Sequence, residues 1–153
     1  MPTIFEQIDA LRQATGWAQL ADAKPGPTWH IALEDDLDGD FLPLGDQFCL
    51  MRGRVIGLAA GTREREQLIS KAASLQIASM RARASVLAYE KNESDESIIC
   101  FRQVPLSLDK AAFLREVQGW LNDLAFWKTT LGDKEAKPTG PVDFSELFAG
   151  LKI

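Results

Sequence analysis

The chain has 153 residues, 46% of them apolar and 25% charged, the length and make-up of one globular domain. Its 17 Lys and Arg against 22 Asp and Glu give a net charge of −5, which speaks against a surface built for nucleic acid. One histidine and two cysteines exclude most metal and nucleophile chemistry, while 4 Trp and 8 Phe exclude a chain too polar to build a core.

In chain order, Met1-Pro2-Thr3-Ile4-Phe5-Glu6 has no basic leader and no apolar stretch of signal-peptide length, so a cytoplasmic location is expected. No run approaches the length of a membrane span. Thr3-x-x-Glu6 has the form of a capping box, and Ile4, Ile8 and Leu11 recur at helical spacing up to Gly16. Lys24-Pro25-Gly26-Pro27 is a loop, because two prolines remove donors and restrict their neighbours. From Thr28 the period becomes two: Trp29, Ile31 and Leu33 share one strand face, with His30 and Ala32 on the other. The acidic run 34–40, with Asp38-Gly39, reads as a turn. Residues 48–51 and 55–58 read as two further strands joined through Arg52-Gly53-Arg54, giving a three-stranded meander.

Gly61-Thr62 caps a second helix, with Glu64 and Glu66 in its first turn. Leu68, Ile69, Ala72, Ala73, Leu75, Ile77 and Met80 form its apolar face, fading near Arg83 or Ala84. Residues 86–89 and 98–104 read as strands four and five, connected by a polar hairpin loop over 91–97. After Pro105 comes a last helix, capped by Ser107 or Asp109. Its Phe113, Val117, Trp120, Leu124, Trp127 and Leu131 follow one another by fours and threes, the strongest periodic signal in the chain. Phe126 lies off that stripe, placed either for a contact surface or against the tail. Gly132 ends the helix. Residues 133–142 read as a linker to a short amphipathic piece with Phe144, Leu147, Phe148 and Leu151. The organisation is one domain over 1–132 and a tail over 133–153.

The order α-β-β-β-α-β-β-α predicts an α+β sandwich, an antiparallel twisted sheet with helices packed on one face. A sheet covered on one side alternates apolar and polar residues. Here 48–51, 86–89 and 98–101 are apolar on both faces. Three helices of one small chain cannot cover both, so a partner subunit or bound segment is expected on the second.

No constellation for catalysis stands out. His30 is the lone histidine, and no serine or cysteine sits in G-x-S-x-G. Cys49 and Cys100 lie in apolar runs and read as buried free thiols, with a disulfide between them left open. If Glu34 opened a calcium loop, Gly45 would occupy the position that requires a bidentate glutamate. Gly53, Gly57 and Gly61, spaced by four, match neither a dinucleotide fingerprint nor a P-loop. No enzyme activity, metal or cofactor is therefore expected. The charge is uneven: residues 1–51 hold nine acids and two bases, 52–83 seven bases and two acids, and 84–153 eleven acids and eight bases. The basic stretch, with Arg63, Arg65, Lys71, Arg81 and Arg83, suits an acidic patch on a second subunit better than nucleic acid.

In element order the chain resembles the class I type III secretion chaperones of the Tir-chaperone type, over residues 3–131. Arg54-Val55-Ile56-Gly57-Leu58-Ala59-Ala60-Gly61 is similar to that family's third strand and small-residue turn. The run from Ile98 through Phe101, Pro105 and Asp109 is similar to its last strand leading by a proline into the final helix. Phe113, Val117, Trp120-Leu121 and Phe126-Trp127 resemble the aromatic pattern of that helix. Two features depart: Gln76-Ile77-Ala78-Ser79-Met80 replaces an Asn-Leu near the end of the second helix, and the tail is longer.

The resemblance implies a homodimer that keeps the N-terminal segment of a secreted effector extended by strand addition and apolar grooves. It also implies the secretion-apparatus ATPase as a further partner, with no nucleic acid and no membrane insertion. On this reading effector contact is expected at Phe5, Ile8, Trp29, Ile31, Leu33, Phe48 and Leu50. The dimer contact is expected at Leu75, Ile77, Met80, Val86, Leu87 and Tyr89. Two rivals stay open: a monomeric domain holding a small ligand in an apolar pocket under the last helix, and a dimeric adaptor of the same fold with a partner that is not secreted.

Overall fold

The computed structural model describes residues 2–17, 28–33, 37–58 and 63–132. Along them run α1 (Ile4–Thr15), β1 (Trp29–Ala32), β2 (Asp38–Leu44), β3 (Phe48–Leu58), α2 (Arg63–Ser79), β4 (Val86–Lys91), β5 (Glu96–Pro105) and α3 (Lys110–Gly132). The helix ends follow from local chemistry. The Thr3 hydroxyl accepts the Glu6 amide at 3.2 Å while the Glu6 carboxylate accepts the Thr3 amide at 2.7 Å, a complete capping box. Gly16, at φ 70°, closes α1 in a left-handed conformation that favours glycine, its N–H donating to the Arg12 carbonyl at 2.8 Å. Asp109, rather than Ser107, caps α3 by accepting the Ala112 amide at 2.7 Å.

The sheet is antiparallel throughout, in the order β1-β2-β3-β5-β4, and the helices lie on one face. The α3 stripe is the reason. Phe113, Val117, Trp120, Leu124, Trp127 and Leu131 are all 5% exposed or less, packed with Trp29, Ile31, Phe41, Cys49, Met51, Cys100 and Val104 into one core. Each such side chain contributes roughly 1.5–3 kcal/mol of burial free energy. The Trp120 ring meets Phe41 edge-on at 5.8 Å and donates its indole N–H to the Cys100 carbonyl at 3.3 Å. Gln7, almost fully buried, ties α1 to the β5–α3 connection by donating to the Leu106 and Leu108 carbonyls.

Two strands differ from the sequence expectation. Asp38, Gly39 and Asp40 are not part of a turn but begin β2, and just before them the Leu33 amide donates to the Leu37 carbonyl at 2.7 Å; residues 34–36 of the expected turn lie outside the described residues. Residues 48–58 form one strand, not two. Gly39 and Gly53 are glycines because α3 presses on them: a Cβ at Gly39 would collide with the Trp120 ring, and one at Gly53 would lie 2.6 Å from a Leu124 methyl. The first three strands do form a meander, but not the one expected: Asp38–Leu44 is its middle strand, and a Gly45 turn, at φ 62°, leads into β3 as the third. α2 ends at Ser79, before Arg83.

Cys49 and Cys100 are buried and free. Cys49 pairs with Val104 and Cys100 with Gly53, so the two lie four residues apart along the β3–β5 ladder. That is about 14 Å at the rise of a strand, beyond disulfide reach. The open question of their pairing is thereby closed. The Lys24-Pro25-Gly26-Pro27 loop, the Gly61-Thr62 cap and the tail 133–153 lie outside the described residues.

Candidate functional site: the outer sheet face and the α2–β4 border

Alternation along each strand sends the partners of the core residues to the other side of the sheet. The register sets Leu42 opposite Leu50, Leu44 opposite Phe48, and Val86 opposite Phe101, all on this outer face. Leu42, Phe48, Leu50 and Phe101 are half-buried; Leu44 is 45% and Val86 42% exposed. Beside this apolar zone lies an ion-paired one. Arg52 bridges Glu90 at 2.6 Å and Asp40 at 3.2 Å, Asp40 also meets His30 Nδ1 at 2.7 Å, and Arg54 pairs with Asp95 at 2.6 Å. At such exposure each pair is worth about 1 kcal/mol or less. Their effect is to fix the polar side chains of this face in place, with Arg52 directly opposite Phe101 in the register.

The second surface is the border of α2 and β4. The Gln76 side-chain carbonyl accepts the Leu87 amide at 2.9 Å, taking an outward hydrogen-bonding position of the edge strand. Arg65 donates to Glu96 at 2.8 Å and to the Tyr89 hydroxyl at 3.2 Å, its guanidinium 5.6 Å from the Tyr89 ring centre. These hydrogen bonds raise the Arg65 pKa and lower that of Glu96 from their ordinary values, although desolvation opposes both shifts and is the largest single effect on Glu96. Inward, α2 packs Leu68, Ile69, Ala72 and Leu75 on the core. Outward, Ile77 is 73%, Met80 65% and Tyr89 47% exposed.

A buried ionic cluster anchors the chain between α2 and β4. Asp123 of α3 accepts from Arg102 at 2.7 Å, from Arg83 at 3.0 Å and from the Ser85 amide at 3.1 Å. Arg102 also donates to the Ser85 hydroxyl and to Glu116, and it lies close enough to Gly119 that a Cβ there would crowd its guanidinium. The Arg83 guanidinium sits 3.6 Å from the Phe126 ring centre, so Phe126, off the α3 stripe, is partly covered by an arginine.

The residues expected to touch an effector divide by face. Ile8, on the inward side of α1, and Trp29 and Ile31, on the strand face that the helices cover, are buried in the core. Phe5 is 56% exposed on α1, Leu33 is half-buried just after β1, and Phe48 and Leu50 lie on the outer face. Of the residues expected at a dimer contact, Leu75 and Leu87 are half-buried against the core, while Ile77, Met80, Val86 and Tyr89 are exposed. Sequence reasoning missed Leu42 and Leu44, which lie in the unread strand, and Phe101, whose place beside buried Cys100 in an alternating strand was the available signal.

Chemically, these surfaces are suited to contact. Burial pushes both thiols up to about 12. Among the described residues no group of three or more His, Cys, Asp or Glu could hold a metal ion, and no helix is long and apolar enough to cross a membrane. Beneath α3, where a small-ligand pocket was conceivable, Phe41, Trp120, Leu121 and Trp127 are fully buried. Two open surface clefts, of about 510 Å³ beside α1 and about 500 Å³ along α2, are lined mainly by polar and charged side chains.

No protein-family model matches the chain, and no curated protein matches it. Solved structures do. A chain of the crystal structure of the ExsC–ExsE complex superposes with a TM-score of 0.60 at 17% identity, covering 86% of this chain and 97% of that one. A chain of the HopA1–SchA chaperone–effector complex superposes with a TM-score of 0.50 at 11% identity, covering 83% and 98%. At these identities it is the fold that is shared, over nearly the whole of each of those chains. The class so defined is a three-helix, five-stranded α+β fold that occurs in a chaperone–effector complex.

Proposed function

We propose that this chain is a type III secretion chaperone, of the class I kind, that binds the N-terminal region of a secreted effector in the cytoplasm and keeps it extended. The observation that carries this reading is the group of apolar side chains on the outer sheet face, left uncovered by the described helices, on a fold also found in a chaperone–effector complex. An extended segment is well matched to such a surface. Its alternating apolar side chains fit against Leu42, Leu44, Phe48, Leu50 and Phe101, with Phe5 and Leu33 as further contacts, while its backbone finds hydrogen bonds at a strand edge. A segment without structure of its own wraps a large area this way at a cost in ordering, and the complex stays reversible. No bond is made or broken; the work is binding.

A homodimer formed through Ile77, Met80, Val86 and Tyr89, with Leu75 and Leu87 behind them, completes the reading, and the loaded dimer is what the secretion-apparatus ATPase receives. The net charge of −5 keeps a protein with exposed apolar surface soluble. The bulky side chains buried beneath α3, Phe41, Trp120 and Trp127, favour this reading over the small-ligand one. The test is co-purification of the tagged full chain from its native host, with light scattering on the eluate. A secreted protein retained through its N-terminal region, on two copies of the chain, is the expected result. A chain that retains only proteins that are not secreted is an adaptor, and a lone 16.9 kDa species contradicts the dimer.

A further inference from the structure

The connection between α2 and β4, residues 80–85, turns Met80, Arg81, Ala82 and Ala84 to the solvent. Two of its residues point the other way: Arg83, whose side chain is 23% exposed, and Ser85, which is fully buried. We infer that Arg83 is a positioning residue for the α2–β4 border. It clips the connection to α3, seats α2 on β4, and keeps Met80 and Val86, three residues to either side, in one fixed relation. That this border makes contact with a second copy rests on the function proposed above; the clip itself does not.

The contacts of Arg83 come from a part of the fold that does not give way. Its guanidinium donates to Asp123 Oδ1 at 3.0 Å and lies 3.6 Å from the Phe126 ring centre, so a carboxylate and an aromatic ring of α3 hold one cation. Asp123 is in turn fixed by Arg102 at 2.7 Å, and Arg102 by Glu116 at 3.0 Å. The Ser85 amide donates to the same Asp123 carboxylate at 3.1 Å. The anchor thus stands on α3 and β5, and it is the connection that is placed by it. The main chain adds to this: the Ala82 and Arg83 amides close the end of α2 on the Ser79 carbonyl, at 2.9 and 3.0 Å. One residue therefore finishes the helix and ties it down. The basic stretch of the sequence suggested an acid on a second subunit for Arg83; the structure gives it one of its own chain.

The rest of the seat is slight. Ala72 is the one buried residue of α2, with Leu68, Ile69 and Leu75 partly buried against the core. Its polar ties, Arg65 to Glu96, Lys71 to Thr130 and Gln76 to Leu87, lie at exposed or half-buried positions. An element with so little buried apolar surface opens at a lower free energy than the core. What holds its end therefore decides how often it lifts from β4.

Amide hydrogen exchange, read residue by residue by NMR on the full chain, tests the clip. The Leu87 amide is the reporter, since it donates to the Gln76 side chain at 2.9 Å and is released when α2 lifts. The Val104 amide, in the β3–β5 ladder opposite Cys49, reports opening of the whole fold. Arg83→Met keeps the length of the side chain and removes its charge; it is expected to quicken Leu87 about tenfold more than Val104. Arg83→Lys, which keeps a cation between Asp123 and Phe126, is expected to restore most of that protection. Equal quickening of both amides, which marks a role in overall stability alone, overturns the inference. So does a Leu87 rate left unchanged by Arg83→Met, or an Arg83→Lys chain as open as the Arg83→Met one. Light scattering of the same proteins on dilution reads the contact. Arg83→Met is expected to raise the dimer midpoint about tenfold, and an unshifted midpoint denies Arg83 its positioning role. A chain that is monomeric without any substitution contradicts the dimer reading and leaves the Leu87 result standing.

Discussion

The two faces of the sheet share five strands and differ in what covers them. Under α3, Trp29, Ile31, Phe41, Met51, Cys100 and Val104 meet a helix that supplies Trp120, Leu124 and Trp127, and almost no surface remains. On the outer face, Leu42, Leu44, Phe48, Leu50 and Phe101 are as apolar but stay half-buried or exposed beside an ion-paired zone. Residues of one chemical type thus have opposite consequences: inside they hold the fold, outside they are available for contact. Substitutions break this contrast in a graded series.

The largest loss is expected at Trp120→Ala, which empties the centre of the core and costs about 3–5 kcal/mol in denaturant unfolding. Asp123→Ala follows at about 3 kcal/mol, because it leaves Arg102 and Arg83 without their shared carboxylate in a nearly dry site. Gly39→Ala, which forces a methyl group into the Trp120 ring, costs about 1–3 kcal/mol by the same measurement. Thr3→Ala removes one helix cap and costs about 1 kcal/mol. The matching pH effect has a definite sign. The Thr3 amide and hydroxyl hold the Glu6 carboxyl below its ordinary 4.5, so the capping contribution is present above that pH and is lost as pH falls through the lowered value. At the small end, Leu44→Asp and Ile77→Asp change stability by about 0.5 kcal/mol or less, the range of exposed positions. Thiol titration of the native chain at pH 8 is expected to find Cys49 and Cys100 unreactive, and both reactive on unfolding.

Much of the covered face was legible in the sequence. The α3 stripe, the Thr3–Glu6 box, the Gly16 stop and the alternation in β1 are local rules that tertiary packing did not override. β2 was not legible, because Asp38-Gly39-Asp40 and Pro43 belong to a turn by composition; they form a strand only because Trp120 needs a glycine beneath it and β1 and β3 flank the segment. Gly53 hid the continuity of β3 for the same reason, with Leu124 in place of Trp120. The candidate site was legible as composition and not as orientation. Alternation places Trp29 and Ile31 together on one face, but which face the chain's own helices cover is a property of the whole fold, so those residues and Ile8 went to the core. The exposed row at Ile77 and Met80 was visible as an apolar helix face. That nothing in the described chain buries it could be learned only from where α2 lies.

The most direct test compares retention and stability in the same samples. The full chain and a Leu44→Asp, Leu50→Ser variant are each purified from the native host, and the retained proteins and the melting temperature are measured side by side. A secreted protein held through its N-terminal region by the unaltered chain, and lost from a variant that melts at nearly the same temperature, is the predicted result. Equal retention by both chains, or no secreted protein on either, would contradict a binding role for the outer face.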